Sequence, residues 1–209
     1  MARVRASPRV KLMKTTTMTI IAAFVVCGSA CGTYSGMRTA NNLRQGQIEL
    51  GGGFAANEIG EVLPVVRASV GVTDAVEIGG QYEVYSALAS ARVALRRSET
   101  HGFALAAGIE GGMVSLLKTV SNDDSDFGLR AEALGAVVAI GHRWSAVEGY
   151  ILTKALAVGW AQAATSFLGT YRGGLRFGRG AVQLGVEAGG TLHHVIFVAE
   201  ATGYVALVF

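Results

Sequence analysis

The sequence predicts an all-β chain folded as an antiparallel up-and-down transmembrane β-barrel of about ten strands, with eight strands as the alternative. Apolar and mixed or polar residues alternate with a period of two from residue 46 to residue 209, which is the pattern of strands with two different faces. Turn-like segments interrupt the alternation repeatedly. The chain is 51% hydrophobic and only 16% charged. It nevertheless contains no apolar run long enough for a transmembrane helix.

The alternation divides into ten successive strands. In "QIELGGGF" one face carries Ile48, Leu50 and Phe54, and in "VVRASVGV" Arg67 and Ser69 lie opposite the valines. The predicted strands are 46–55, 64–73, 75–86, 89–98, 102–115, 128–141, 147–159, 166–178, 181–192 and 196–209. Strands of roughly 10 to 14 residues suit a tilted crossing of a bilayer. The sixth and seventh are apolar on both faces, so their register stays open and a helical segment is the alternative.

The connections form a second pattern. Those after the even-numbered strands are short and turn-like ("TDA", "SETH", "HRWSA", "RG"), whereas several after the odd-numbered strands are longer, such as "LLKTVSNDDSDF". Short turns at one end and longer loops at the other are typical of outer-membrane barrels. The turn at Arg179 and Gly180 predicts a hairpin that sets Arg172 beside Glu187.

A soluble barrel turns its apolar face inward, whereas a membrane barrel turns it outward. Here the polar face is nearly balanced in charge, as an enclosed interior requires. The charges expected to line the lumen are Glu49, Arg67, Glu77, Arg92, Arg96, Glu110, Arg130, Glu132, Lys154, Arg172, Arg176, Glu187 and Glu200. Two aromatic girdles are also predicted. They comprise Phe103, Trp144, Tyr150, Phe177 and Phe209 at the turn end, and Phe54, Tyr82, Tyr85, Trp160, Phe167 and Phe197 at the loop end.

The first 30 residues predict a secretory signal. A basic start precedes the apolar run "MTIIAAFVV" and the small residues "CGSACG". A short anchor helix is the alternative. Cleavage before Cys31 leaves 13 basic and 15 acidic residues, a balance that weighs against a nucleic-acid partner. Residues 31–45 are polar and aperiodic and are expected to form a flexible periplasmic tether, followed by the barrel domain at 46–209.

Two stretches carry resemblances. "GSAC", ending at Cys31, resembles the cleavage motif of bacterial lipoproteins, although Gly28 replaces the usual leucine. The resemblance implies lipid attachment at Cys31; a free or intermolecularly paired cysteine is the alternative. The ending, with Val205, Leu207 and Phe209 on one face, resembles the last strand of bacterial outer-membrane proteins. That resemblance implies the outer membrane of a diderm bacterium, contact with membrane lipid, and recognition by the outer-membrane assembly machinery.

No catalytic, cofactor or metal set can be assembled from the sequence. His193 and His194 are adjacent, so strand geometry points them to opposite faces. "NDDSD" lacks the spacing of an EF-hand loop. The expected function is therefore a non-enzymatic barrel with a closed, charge-filled lumen and a structural or surface-interaction role, with an unidentified envelope or surface partner. The alternative is a narrow channel or transporter for small solutes that uses the same charges as its lining.

Overall fold

The structure is a computed structural model that describes residues 37–58, 60–84, 86–116, 129–160, 163–193 and 196–209. The strands are β1 (Ile48–Asn57), β2 (Val62–Gly71), β3 (Val76–Glu83), β4 (Ser86–Arg96), β5 (His101–Leu116), β6 (Leu129–Trp144), β7 (Val147–Trp160), β8 (Ala163–Phe177), β9 (Val182–His193) and β10 (Ile196–Val208). Each pairs antiparallel with its sequence neighbours, and β1 pairs with β10 to close a barrel. The predicted all-β fold and the ten-strand count are confirmed. Within the described ranges, no helix has the length and hydropathy needed to cross a membrane.

The period of two explains how each strand is placed in the wall. In β2, Val65, Arg67 and Ser69 are buried in the interior, while Val66 and Ala68 between them face outward. The same alternation around the barrel leaves an apolar outer surface, on which Phe54, Leu134 and Phe167 are each more than 60% exposed. The pattern is therefore apolar outside and polar inside.

The wall is taller on one side than on the other. Strands β5 to β8 are 14 to 16 residues long, whereas β1 to β4 have 8 to 11 residues. The end that holds the start of β1 and the connection 178–181 is called the turn end, and the opposite end the loop end. At the loop end the strand bounds leave only two residues between β3 and β4, between β7 and β8 and between β9 and β10, fewer than expected. The "NDDSD" motif lies outside the described residues.

The predicted register of the β8–β9 hairpin is wrong by two residues. Arg172 lies opposite Gly189 and Glu187 lies opposite Gly174, instead of opposite each other. The cause is a four-residue connection, 178–181, in place of a two-residue turn, with Gly178 at a φ of 117° that a side chain would disfavour. A shift by an even number keeps every side chain on its predicted face, so the inward set is unchanged.

Candidate functional site in the barrel lumen

The interior of the barrel is lined with ionisable side chains. Ten of the predicted lumen charges are buried there: Glu49, Arg67, Glu77, Arg92, Glu110, Lys154, Arg172, Arg176, Glu187 and Glu200. Glu83, Glu148 and Arg38, which was expected in the tether, join them, so that seven buried carboxylates face six buried cations. This near-balance lets the charges compensate one another where water is largely excluded.

Two predicted lumen charges are placed differently, and a third cannot be compared. A β-bulge between Ala94 and Arg96 shifts the alternation of inward and outward side chains, so Arg96 lies on the outer surface. Its guanidinium is 5.7 Å from the centre of the Phe103 ring. Glu132 also lies on the outer surface, because alanines occupy the inward positions on either side of it. The side chain of Arg130 lies outside the described residues.

A continuous chain of ion pairs crosses the lumen near the turn end. Glu49 pairs with Arg176 and, at 3.2 Å, with Arg67. Arg67 also contacts Glu77 at 2.9 Å, and Glu77 reaches Arg92 at 3.8 Å. Each carboxylate in this chain is shared by two cations. Removal of any one member therefore leaves a buried neighbour short of a partner.

Two further groups of charges lie apart from that chain. Glu110 is held by Lys154 at 2.9 Å and lies 3.9 Å from Arg38. Arg172 pairs with Glu200 across β9, at the level where Gly189 lies opposite both of them in the strand ladder. Because Gly189 has no side chain, it leaves the space between the partners open.

Tyr150 was predicted in the turn-end girdle, but its side chain lies in the lumen and is only 4% exposed. Its hydroxyl donates to Glu187 at 2.5 Å and lies 3.2 Å from the hydroxyl of Tyr204. Both rings lie over glycines of neighbouring strands: a Cβ at Gly174 would be 2.5 Å from the Tyr150 ring, and one at Gly185 would overlap the Tyr204 ring. The prediction was wrong because Tyr150 occupies one of the alternate positions of β7 whose side chains point into the lumen.

Residues 37–43, here called the plug segment, lie inside the barrel. They belong to the predicted flexible periplasmic tether, and the structure corrects that prediction for the described part. Met37, Ala40 and Leu43 are 1%, 0% and 8% exposed. Met37 lies beside Gly51, inside β1, whereas Asn42 reaches the turn at Ala75. The segment therefore runs from the interior of the lumen to the turn-end mouth and then enters β1.

The wall holds the plug segment through side chains that bind its backbone. Glu77 accepts a hydrogen bond from the Leu43 amide at 3.0 Å, and Glu148 accepts one from the Asn41 amide at 3.3 Å. Arg92 donates to the Thr39 carbonyl oxygen at 2.6 Å, and Arg67 donates to the carbonyl oxygen of Met37. The same charges that pair with one another across the lumen thus also satisfy the plug backbone. The segment itself is not a strand of the barrel.

The plug also packs against apolar side chains of the inner wall. Met37 joins a cluster with Ala55, Val65, Tyr204 and Ala206, and Ala40 joins one with Ala104, Val137, Ala139, Tyr150 and Leu152. Glycines in the wall provide the room for this contact: a Cβ at Gly141 would be 2.9 Å from that of Ala40, and one at Gly51 would be 3.3 Å from the terminal methyl of Met37. The plug fits against the wall because glycine has no side chain at these positions.

Arg38 is the one charged residue of the plug. It donates to the hydroxyl of Ser90 and faces Glu110. Burial lowers the pKa of the Arg38 guanidinium to about 9, and the positive charge of Arg67 contributes to the decrease while Glu110 opposes it. Arg38 therefore remains a cation at neutral pH. It supplies one of the six positive charges that balance the seven buried carboxylates.

The C-terminal residues form the closing seam of the barrel. The Phe209 amide donates to the Ile48 carbonyl oxygen at 2.9 Å, and the Ile48 amide donates back to Phe209 at 3.1 Å. Val205, Leu207 and Phe209 all face outward, with exposures of 45%, 39% and 67%. The predicted assembly-signal residues thus lie on the outer surface of the last strand, next to β1.

The described residues contain no group of three or more His, Cys, Asp or Glu residues arranged to hold a metal ion. Cys31 and residues 1–30 lie outside the described part of the chain, as does the side chain of His193. No protein-family model matches this chain. No curated protein matches its sequence either.

Proposed function

We propose that this chain is an integral β-barrel of the outer membrane of a diderm bacterium, with a structural or surface-interaction role and no enzymatic activity. The outward apolar side chains suit a lipid environment, and the inward charges suit a lumen screened from it. Exposed aromatics support two interfaces: Phe103 and Trp144 lie near the turn end, whereas Phe54 and Phe167 lie near the loop end. Most of the buried carboxylates pair with buried cations: Glu49, Glu77, Glu110 and Glu200.

One observation supports a closed lumen: the plug segment lies inside it. Residues 37–43 occupy the turn-end part of an interior that side chains of a barrel this small already nearly fill. The plug contacts wall residues from several strands, including Arg67 of β2, Arg92 of β4 and Glu148 of β7. A segment held from several sides leaves little room for a solute to pass.

We also propose which end of the barrel faces the periplasm and how the chain is recognised for assembly. The chain enters β1 and leaves β10 at the turn end, and we expect both ends of the barrel domain on the periplasmic side, so the turn end would face the periplasm. The loop end would then be available to an envelope or surface partner. The outward row Val205, Leu207 and Phe209 would be recognised by the outer-membrane assembly machinery.

Conductance in planar bilayers tests the closed lumen. The full chain is expected to give no reproducible single-channel steps. A variant in which residues 37–43 are replaced by a glycine–serine linker of equal length is expected to conduct. Reproducible steps from the full chain, altered in size by Arg92→Gln or Glu110→Gln, would overturn the closed-barrel proposal.

A narrow channel for small solutes is the second candidate. The observation in its favour is that the plug forms no strand pairing with the wall, so it can leave without breaking the barrel ladder. The membrane assignment has a separate test. Extraction from cells only with detergent, together with heat-modifiable migration in gels, supports it, whereas release without detergent would contradict it.

A further inference from the structure

A polar cavity of about 370 Å³ opens at the turn end of the barrel, beside the plug. Asn41 and Asn42 of the plug contribute to its lining, together with the ends of β4, β6 and β8 and the turns that follow them. At about 30 Å³ per water molecule, the space is large enough for a small organic or inorganic ion together with several waters. It is distinct from the ion pairs deeper in the lumen.

The lining of this cavity is strongly basic. Five arginines face two carboxylates: Arg44, Arg97, Arg143, Arg176 and Arg179 against Glu49 and Glu99. Two carboxylates outside the lining, Asp74 and Glu148, reach Arg97 and Arg143 only at 3.7 and 3.4 Å. Arg97 also donates to the backbone carbonyl oxygens of Asp74 and Asn42. Arg143 lies 3.5 Å from the carbonyl oxygen of Glu99, so each guanidinium keeps only part of its donors for a further partner.

Arg179 has the least engaged side chain of the set. It is exposed at the rim, and within the described part of the chain no carboxylate lies within ion-pairing distance of it. Arg176 is committed to Glu49 through one terminal nitrogen, and its Nε has no hydrogen-bond partner. The cavity therefore combines an exposed cation with a buried one that retains a free donor.

Buried polar atoms without partners point to a ligand in this cavity. Ser98 and Arg176 are each only 7% exposed, and both the Ser98 hydroxyl and the Arg176 Nε lack a hydrogen-bond partner. The Asn41 Nδ2 is a third unpartnered donor, and the Asn42 Oδ1 is an unpartnered acceptor. Unsatisfied buried polar groups are costly and rare, and four of them lie on residues that line this one cavity.

We propose that this turn-end cavity is a binding site for a phosphate-type anion. Arginines suit phosphate oxygens because their donors form paired, charge-assisted hydrogen bonds. The free Asn42 acceptor adds selectivity, since a phosphate that carries a proton can donate to it and sulfate cannot. The anion is either a soluble phosphate or the headgroup of an anionic phospholipid. The site does not depend on whether the barrel conducts.

Calorimetric titration of the full chain in neutral detergent tests the site, with inorganic phosphate as the probe at constant ionic strength. One phosphate is expected to bind per chain, with sulfate at least about tenfold weaker. Arg179→Gln should weaken phosphate binding about tenfold, because it removes charge-assisted hydrogen bonds to the anion. Arg96→Gln is the matched control: it removes the same charge near the same end, but from the outer surface, and should leave the affinity unchanged.

A second arm distinguishes the two sources of the anion. Mixed micelles containing phosphatidylglycerol, compared with micelles of phosphatidylcholine, replace inorganic phosphate as the probe. Arg179-dependent binding in this arm alone supports the site and identifies a lipid headgroup. The proposal is overturned if neither probe binds, if sulfate binds as tightly as phosphate, or if Arg179→Gln and Arg96→Gln weaken binding equally. A Ser98→Ala variant with wild-type phosphate affinity would also contradict it.

Discussion

Replacement of Glu77 by glutamine should be among the most destabilising single changes of a lumen charge. The Glu77 carboxylate accepts from Arg67 at 2.9 Å and from the Leu43 amide at 3.0 Å, and it lies 3.8 Å from Arg92. It thus joins two wall strands to the plug. Glutamine has the same shape but carries no charge and has one acceptor oxygen, so it can keep only part of this arrangement.

The size of the loss follows from burial. Glu77 and Arg67 have side chains that are each 2% exposed, so water cannot replace the lost charge. Removing one partner of a buried pair costs about 3 to 5 kcal/mol. Because Arg67 keeps its contact with Glu49 at 3.2 Å, the lower end applies, and we expect a loss of about 3 kcal/mol in the free energy of unfolding.

Urea-induced unfolding in detergent or lipid bilayers measures this free energy. Glu99→Gln is the matched control, because Glu99 also pairs with an arginine, Arg44, at 2.9 Å, but its side chain is 75% exposed. An exposed pair contributes about 0 to 1 kcal/mol. Both variants remove one carboxylate charge from an arginine contact of 2.9 Å, but the Glu77 pair is buried and the Glu99 pair is exposed. Equal losses of unfolding free energy in the two variants would contradict the larger contribution expected from the buried pair.

Three further predictions concern the rings and the seam. Gly174→Ala should destabilise the barrel by about 1 to 3 kcal/mol in urea unfolding, because its Cβ would meet the Tyr150 ring at 2.5 Å, whereas the neighbouring Gly173→Ala meets nothing within 4 Å and should have little effect. Tyr150→Phe should lower the same free energy by about 1 to 3 kcal/mol through loss of its buried hydroxyl bonds, while Tyr171→Phe, half exposed on the outer surface, should not. Removal of Phe209 should reduce the heat-modifiable folded fraction severalfold, since both its backbone bonds to β1 disappear; an unchanged folded fraction would contradict this.

The strands, and which of their side chains point inward, were predictable because burial of one face produces an alternation of polar and apolar residues within each short segment. Arg67 and Ser69 are on the inner face because Val66 and Ala68 are on the outer one. Even a register error of two residues in the β8–β9 hairpin left the facing intact. The bulge before Arg96 was not predictable, because nothing in "ALRRSET" distinguishes a bulged strand from a regular one.

The plug could not be found in the same way. Residues 37–43 are polar and aperiodic, and their burial depends on contacts with strands that lie far along the chain, such as Ser90 and Glu148. The only sign in the sequence is indirect, because Gly51 and Gly141 leave space on the inner wall. A glycine in a strand can equally mark a bulge or a bend, so the segment that fills the space cannot be identified from it.

The position of the plug constrains the order in which the molecule is assembled. Residues 37–43 immediately precede β1, while the ladder that completes the cylinder joins β1 to β10, at the opposite end of the sequence. Pairings between such distant segments form slowly. The plug directly precedes the first strands in the chain, so its contacts with β2, β3 and β4 can form while the sheet is still an open curved surface. Pairing of β1 with β10 then closes the barrel around a segment that is already in place.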